Sequence, residues 1–124
     1  LATVHANNAR DALARFETMV GIGMPNMGDK SIRETIARAL DLIVQQERLS
    51  DGSRRIMSVT EVTGMEGPVI TSQDIFIFEQ RTIDEHGKVR GAFRATGIRP
   101  RFSAKLATNG IRLSPELFRF EMEV

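Results

Sequence analysis

The first twenty residues combine a short β-prone run with a helical pattern of apolar positions. Residues 1–5 are expected to form a short strand. The apolar residues that then recur every three or four positions are Ala9, Ala12, Leu13, Phe16, Met19 and Val20. This period predicts an amphipathic helix, for which Asn7 or Asn8 is the natural N-cap.

A glycine-rich loop separates this helix from a second helical pattern. Segment 21–28 contains three glycines and a proline and cannot continue a helix. The next periodic segment is expected to begin after Asp29 or Ser31, where Ser31-x-x-Glu34 has the form of a capping box. The first third of the chain is therefore predicted as strand, helix, loop and helix.

From residue 41 the period changes to two, in runs rich in β-branched and aromatic residues, which predicts strands. The expected strands are 42–49, 54–62, 74–83 and 89–94, with turns at 50–53 and 84–88 and a separating segment at 64–68. The two faces of the last strand carry Val89, Gly91 and Phe93 on one side and Arg90, Ala92 and Arg94 on the other. This alternation predicts one packed face and one face in water.

The C-terminal part is expected to return to helix. A short helix is predicted at about 102–108, ending at Asn109-Gly110, with one more turn at 114–118. The whole chain, 1–124, is thus predicted as one α/β unit with its sheet at 41–94 and a C-terminal helix and tail at 101–124.

The amino-acid composition and net charge of the chain exclude several classes of function. The 124 residues are 41% hydrophobic and 27% charged, as in one ordinary globular domain. With 17 Lys and Arg against 16 Asp and Glu, the net charge of +1 gives no overall attraction to nucleic acid or membrane. The absence of cysteine and the presence of only two histidines exclude disulfides, thiolate chemistry and histidine-rich metal clusters. Apolar runs are far shorter than the roughly 20 residues of a membrane-spanning helix, so no such helix is expected.

The N-terminal residues bear no sign of a targeting sequence. The chain opens with Leu-Ala-Thr-Val, without an initiator Met, and no basic stretch with an apolar core follows. We therefore expect no signal peptide, and we expect the chain to be a piece of a longer protein.

His5 is the most specific single candidate for chemistry. It lies where the predicted strand gives way to a helix N-terminus, a place that favours anions. A histidine there can hydrogen-bond a terminal phosphate. The alternative is a histidine satisfied by local backbone groups, and the residues alone leave this alternative the stronger one.

Segment 23–31 nearly spells a phosphate-binding loop. Its sequence Gly-Met-Pro-Asn-Met-Gly-Asp-Lys-Ser differs from G-x-x-x-x-G-K-[ST] because Asp29 is inserted before Lys30, and it follows a predicted helix instead of a strand. A carboxylate among the amides that should bind phosphate would repel it, so nucleotide binding here is not expected. No carboxylate pair or Ser/His/Asp set elsewhere predicts hydrolysis, and no metal site is expected.

The segment 81–105 is basic, with seven Lys and Arg against two acidic residues. Such a segment is compatible with nucleic acid, anionic lipid headgroups or an acidic patch on another subunit. Phe93 and Phe102 are the only aromatic residues available there for base stacking, and Phe93 is expected in the core. A solvated sheet face is an equally good explanation.

Several blocks together resemble one family. The residues that carry the likeness are Leu1-Ala2-Thr3-Val4-His5-Ala6-Asn7-Asn8, Arg10-Asp11-Ala12-Leu13, Arg15-x-Glu17-x-Met19, Ser31-Ile32-Arg33-Glu34-x-Ile36-Ala37, Asp41-Leu42-Ile43-Val44-Gln45-Gln46, Asp51-Gly52-Ser53-Arg54, Thr60-Glu61-Val62-x-Gly64-Met65-Glu66-Gly67, Gln73-Asp74-Ile75-Phe76 and Ala95-Thr96-Gly97-Ile98-Arg99-Pro100-Arg101-Phe102. The first block resembles the histidine box of the secretion ATPases, here residues 1–8. The remainder is similar to the CpaF type, which drives assembly of tight-adherence (Flp) pili, within the type II and type IV secretion ATPase superfamily.

The resemblance implies the C-terminal part of a RecA-like motor domain. The parent protein would be a homo-hexamer at the cytoplasmic face of the inner membrane that hydrolyses ATP with Mg²⁺ and acts on membrane platform proteins. The family's phosphate-binding loop and its acidic motifs precede the histidine box and do not occur in these residues. We therefore expect the chain alone to bind no cofactor and to be inactive.

The same resemblance suggests roles for individual residues. It implies that His5 senses the γ-phosphate in the assembled parent, with Thr3 and Asn7 near the nucleotide. Arg33 is left equally open between a solvated helix residue and a subunit contact. Arg99 and Arg101 are expected at a subunit or platform interface, with no nucleic acid as partner. The alternatives that remain are a nucleic-acid-binding module that uses residues 81–105 and a non-catalytic protein-interaction domain.

Overall fold

The structure is a computed structural model that describes all residues, 1–124. Its elements are, in chain order, helices α1 (Ala9–Gly23) and α2 (Asp29–Ala39), strands β1 (Leu42–Arg48), β2 (Arg54–Glu66), β3 (Val69–Ile83) and β4 (Val89–Ala95), helix α3 (Phe102–Thr108), a 3-10 turn (Pro115–Phe118) and strand β5 (Glu121–Glu123). The predicted mixture of helices and strands is confirmed as three helices and one five-stranded sheet. The predicted helix at 102–108 and the turn near 114–118 are confirmed as well.

The sheet is an antiparallel meander in the order β1-β2-β3-β4-β5. The expected separator at 64–68 is wrong, because β2 runs on to Glu66 and β3 already begins at Val69. A bulge at Thr63, between Val62 and Gly64, interrupts the alternation there, and Gly67, with φ of 57°, makes the turn. Strand β5 was not predicted at all, because three exposed residues carry no hydrophobic period.

The first helix begins where the sequence predicts, but the residues before it do not form the predicted strand. Asn8 caps α1 by accepting a hydrogen bond from the Asp11 N–H at 2.8 Å. The strand expected at 1–5 is absent, because no neighbouring strand pairs with these residues and they are mostly exposed. A single bond from the Gln45 amide to the Ala6 carbonyl, 2.9 Å long, ties this segment to the sheet.

The second helix begins at Asp29, one residue earlier than a cap at Asp29 and three residues earlier than a cap at Ser31 would allow. Gly28 is its N-cap and Asp29 provides the acidic charge of its first turn. The capping box at Ser31 and Glu34 is therefore wrong: Ser31 lies inside the helix, where its carbonyl accepts the Thr35 hydroxyl at 2.8 Å.

The two long helices pack on the half of the sheet formed by β1, β2 and the start of β3. Their core is Leu13, Ile32, Ile36 and Val62, flanked by partly buried apolar residues. A second cluster joins the sheet to the C-terminal tail through Phe76, Phe93, Phe118 and Phe120, with ring centroids 5.7 to 6.3 Å apart.

The alternation predicted for β4 holds only in part. Arg90 is exposed and Val89 is buried, as expected, but Ala92 on the arginine side has no exposed surface. Glu79 faces Ala92 across the ladder and binds Arg94, so long charged side chains flank the small residue.

Candidate histidine-box site

His5 lies in a shallow groove at the N-terminal end of α1. The groove has a volume of about 600 Å³, and His5, Asn7, Asp11 and Arg15 contribute its polar lining. The structure thus brings the predicted residues His5 and Asn7 together. Thr3 is exposed and does not line this groove.

Two hydrogen-bonded anchors flank His5 along the chain. On one side, the largely buried Gln45 of β1 donates to the carbonyl of Ala6. On the other, Asn8 accepts the Asp11 N–H, and its amide donates to the Asp11 carboxylate at 3.3 Å. The backbone beside His5 is therefore fixed both to the sheet and to the start of the helix. Sequence reasoning missed Gln45, whose only signal is a polar residue at an inward position of a strand.

The imidazole of His5 itself is exposed and makes no hydrogen bond or ion pair within the chain. The alternative in which local backbone groups satisfy it is therefore not what the structure contains. Arg15 adds a positive charge to the groove and Asp11 a negative one, so the groove is mixed in charge.

Arg33 is engaged within its own chain. Its Nε lies 3.1 Å from a Glu17 carboxylate oxygen, and its Nη1 donates to the Pro68 carbonyl at 3.3 Å. Both side chains of the ion pair are about one-third exposed. Arg33 therefore connects α1, α2 and the turn between β2 and β3, while its role between subunits stays a prediction.

Glu61 holds the segment that carries Arg99 and Arg101. This β2 residue is 3% exposed, and its carboxylate accepts the backbone N–H groups of Arg101 and Phe102, each at 2.9 Å. Gln73 of β3 donates to it at 2.8 Å. A buried carboxylate thus fixes the entrance of α3 to the sheet. Sequence analysis included Glu61 in a motif but assigned it no role. A charged residue between Thr60 and Val62 in a buried strand is nevertheless a signal for a buried, hydrogen-bonded carboxylate.

The two arginines of that segment contact different parts of the molecule. Arg99 reaches the Leu113 carbonyl at 3.4 Å, and its guanidinium lies 5.4 Å from the centre of the Phe118 ring. Arg101 reaches the Thr63 carbonyl at 3.5 Å. Both side chains are exposed, and neither is paired with a carboxylate, so each presents its charge at the surface.

Intramolecular ion pairs interrupt the basic segment 81–105. Arg81 pairs with Glu121 and Glu123, Arg90 with Asp84, and Arg94 with Glu79. The hydrogen bond from Arg94 holds the pKa of Glu79 below its ordinary value, and the Glu121 carboxylate raises the pKa of Arg81. Three of the seven basic side chains are thus neutralised, which argues against one continuous surface for nucleic acid.

Segment 23–31 does not have the geometry of a phosphate-binding loop. It follows the helix α1, which ends at Gly23, and Lys30 and Ser31 already lie in the first turn of α2. No strand feeds this loop, and Asp29 stands at the helix N-terminus, where a phosphate would have to sit.

Comparison with known proteins adds no family assignment. No family model matches this chain, and no curated protein matches it. The structure contains no group of three or more acidic or histidine side chains arranged to hold a metal ion, and no helix long and apolar enough to cross a membrane. The motif residues and the geometry around His5 therefore remain the basis for inferring a function.

Proposed function

We propose that the chain forms the C-terminal part of the RecA-like motor domain of a CpaF-type secretion ATPase, in which His5 contacts the terminal phosphate of ATP. One observation supports this proposal most directly. The imidazole of His5 is exposed and unpartnered, while the backbone beside it is fixed at the N-terminal end of a 15-residue helix. A free imidazole on a rigid support can meet a ligand without breaking an existing contact.

In this proposal a phosphate-binding loop upstream of residue 1 holds ATP and Mg²⁺, and His5 reaches the γ-phosphate from the opposite side. The N-terminal dipole of α1 and the charge of Arg15 favour the approach of an anion. Asp11 opposes it, so the groove alone is a weak phosphate site, and the contact depends on the upstream loop.

The same helix offers a route for transmission. Leu13 of α1 belongs to the core with α2, and Glu17 of α1 binds Arg33 of α2. A displacement at His5 that depends on the phosphate would therefore move two helices and the turn at Pro68 as one unit. In a hexamer at the cytoplasmic face of the inner membrane, that unit and the arginines Arg99 and Arg101 would contact neighbouring subunits or the platform proteins.

The test is substitution of His5 in the full-length parent. His5→Ala is expected to lower the rate of ATP turnover at least tenfold while changing nucleotide affinity little, because a terminal-phosphate contact acts chiefly as charge redistributes in the transition state. His86→Ala removes the other histidine, which is exposed in the turn between β3 and β4, and serves as the matched control. Equal turnover of the His5 variant and the parent would contradict the proposal.

A further inference from the structure

A cleft of about 600 Å³ lies between α3 and the segment that precedes the 3-10 turn. Its polar side chains are those of Arg99, Ser103, Arg112 and Ser114, and no carboxylate lines it. The nearest acidic residue along the chain, Glu116, lies outside the lining. The cleft is therefore purely cationic in its charged groups.

Neither arginine of this cleft is neutralised within the chain. All the ion pairs of the structure involve other residues. Arg99 makes a single hydrogen bond of 3.4 Å to the Leu113 carbonyl, and its guanidinium lies over the buried Phe118 ring, which fixes its position at the cleft. Two like charges that line one cleft repel each other, and an anion between them would remove that repulsion.

Ser103 supplies a second, independent observation. Its hydroxyl oxygen is buried and has no hydrogen-bond partner, a condition shared in this chain only with Nε of Arg55. Buried polar groups in folded proteins are almost always satisfied, so this hydroxyl needs a partner, and a bound ion or water is one kind that can supply it. This orphan belongs to a residue that lines the cationic cleft.

We propose that this cleft binds an oxyanion of the phosphate monoester class, held by the guanidinium groups of Arg99 and Arg112, with the hydroxyl of Ser103 turning from its buried position toward the anion. Guanidinium groups present paired N–H donors that match phosphate geometry, and two of them with a hydroxyl offer more donors than the two oxygens of one carboxylate can accept. The volume of the cleft is within the roughly 300–1,000 Å³ of common ligand sites.

The experiment is an NMR titration of the 124-residue chain with inorganic phosphate at constant ionic strength. Saturable shifts are expected at the Ser103 amide and at the side-chain Nε–H groups of Arg99 and Arg112. The double variant Arg99→Gln/Arg112→Gln is expected to weaken phosphate binding at least tenfold, and Ser103→Ala severalfold. The matched control is Arg48→Gln/Arg54→Gln, which removes the same charge from two exposed arginines paired across the β1–β2 hairpin.

A second arm identifies the source of the phosphate group. Phosphatidylcholine vesicles with and without phosphatidic acid, which carries a phosphate monoester, are sedimented with the chain. Binding to the phosphatidic acid vesicles that the Arg99/Arg112 variant loses and the control keeps would assign a lipid headgroup, whereas saturable binding of soluble phosphate alone would assign a free phosphate compound. Shifts that do not saturate together with no vesicle binding, or equal losses in the two double variants, would overturn the proposal. No nucleotide is present, so the outcome is independent of the role of His5.

Discussion

The buried carboxylate of Glu61 holds the start of α3 against the sheet. It accepts three hydrogen bonds, two of them from backbone N–H groups at the start of the helix. Glu61→Gln replaces one acceptor oxygen with a donor that faces another donor, so we expect the free energy of unfolding to fall by about 1–3 kcal/mol. Urea unfolding followed by circular dichroism measures this, since the chain has neither Trp nor Tyr.

The control for that prediction is Glu66→Gln, at the exposed end of the same strand. It makes the same chemical change where no hydrogen bond is lost. Equal stability of the two variants would show that the carboxylate of Glu61 does not hold the α3 entrance.

Asp51 gives the fold a dependence on pH. It accepts hydrogen bonds from the hydroxyl and the N–H of Ser53 and, at 2.8 Å, from the N–H of Val89, and these bonds hold its pKa far below the ordinary value of 3.8. Because the folded-state pKa is the lower one, the stabilisation is complete above the unfolded-state value and is lost as the pH falls below it. We expect Asp51→Asn to be less stable at pH 7 and to lose less stability between pH 5 and pH 3.

Circular dichroism of urea unfolding at pH 7, 5, 4 and 3 checks this. The lowered pKa values of Glu79 and Asp84 make both the variant and the unsubstituted chain less stable as the pH falls. The quantity to compare is therefore the slope of the free energy of unfolding against pH in the two proteins. Parallel pH profiles for the variant and the unsubstituted chain would contradict the assignment to Asp51.

Among the elements, strand β4 has no room for a side chain at Gly91. A Cβ on Gly91 would overlap the carbonyl oxygen of Glu79 and approach Cζ of Phe78 to 2.9 Å. Because backbone on β3 cannot move without disturbing the ladder, Gly91→Ala should lower the free energy of unfolding by about 1–3 kcal/mol. Gly23→Ala, at the end of α1 with no atom within 4 Å, should leave stability unchanged or slightly higher. Thermal unfolding of both variants tests this, and similar midpoints would refute the steric argument.

Elements with their own local signals were predictable, and elements that depend on distant partners were not. The Asn8 cap and the helix at 102–108 depend on neighbouring residues, and both agree with the structure. The strand expected at 1–5 failed because a strand needs a partner, and its β-prone residues find none. β5 forms for the converse reason, since β4 offers a free edge at Phe93 that no local pattern announces.

The same distinction applies to the site. The sequence could place His5 and Asn7 beside a helix N-terminus, because that placement is local. It could not predict the contacts of Gln45 with Ala6 or of Glu61 with Arg101, which join residues about forty positions apart. Long-range hydrogen bonds depend on the sheet register, and two bulges in the β2–β3 ladder shift that register in ways no period reveals.

At the scale of the whole molecule, we expect the isolated chain to show no ATPase activity. Its one loop with the composition of a phosphate site lies between two helices and carries Asp29 at the decisive position. Phosphate release by the purified chain with ATP and Mg²⁺ measures this. Saturable turnover that His5→Ala abolishes would contradict the prediction, whereas turnover that the substitution leaves unchanged would indicate a contaminant.

The last prediction concerns the exposed side chains of Arg99 and Arg101. The Phe118 ring lies beneath the Arg99 guanidinium, and Glu61 accepts the backbone N–H of Arg101. If the two arginines face a neighbouring subunit or the platform, Arg99→Glu/Arg101→Glu in the full-length parent should impair ring or pilus assembly, because each arginine loses a charge-assisted partner worth about 1.5–3 kcal/mol. Arg48→Glu/Arg54→Glu makes the same reversal at the β1–β2 hairpin and should leave assembly intact. Analytical ultracentrifugation and a pilus assay measure the two effects. An intact hexamer that instead loses a salt-sensitive affinity for DNA or RNA would assign this surface to nucleic acid, since only phosphate contacts give that steep dependence on salt.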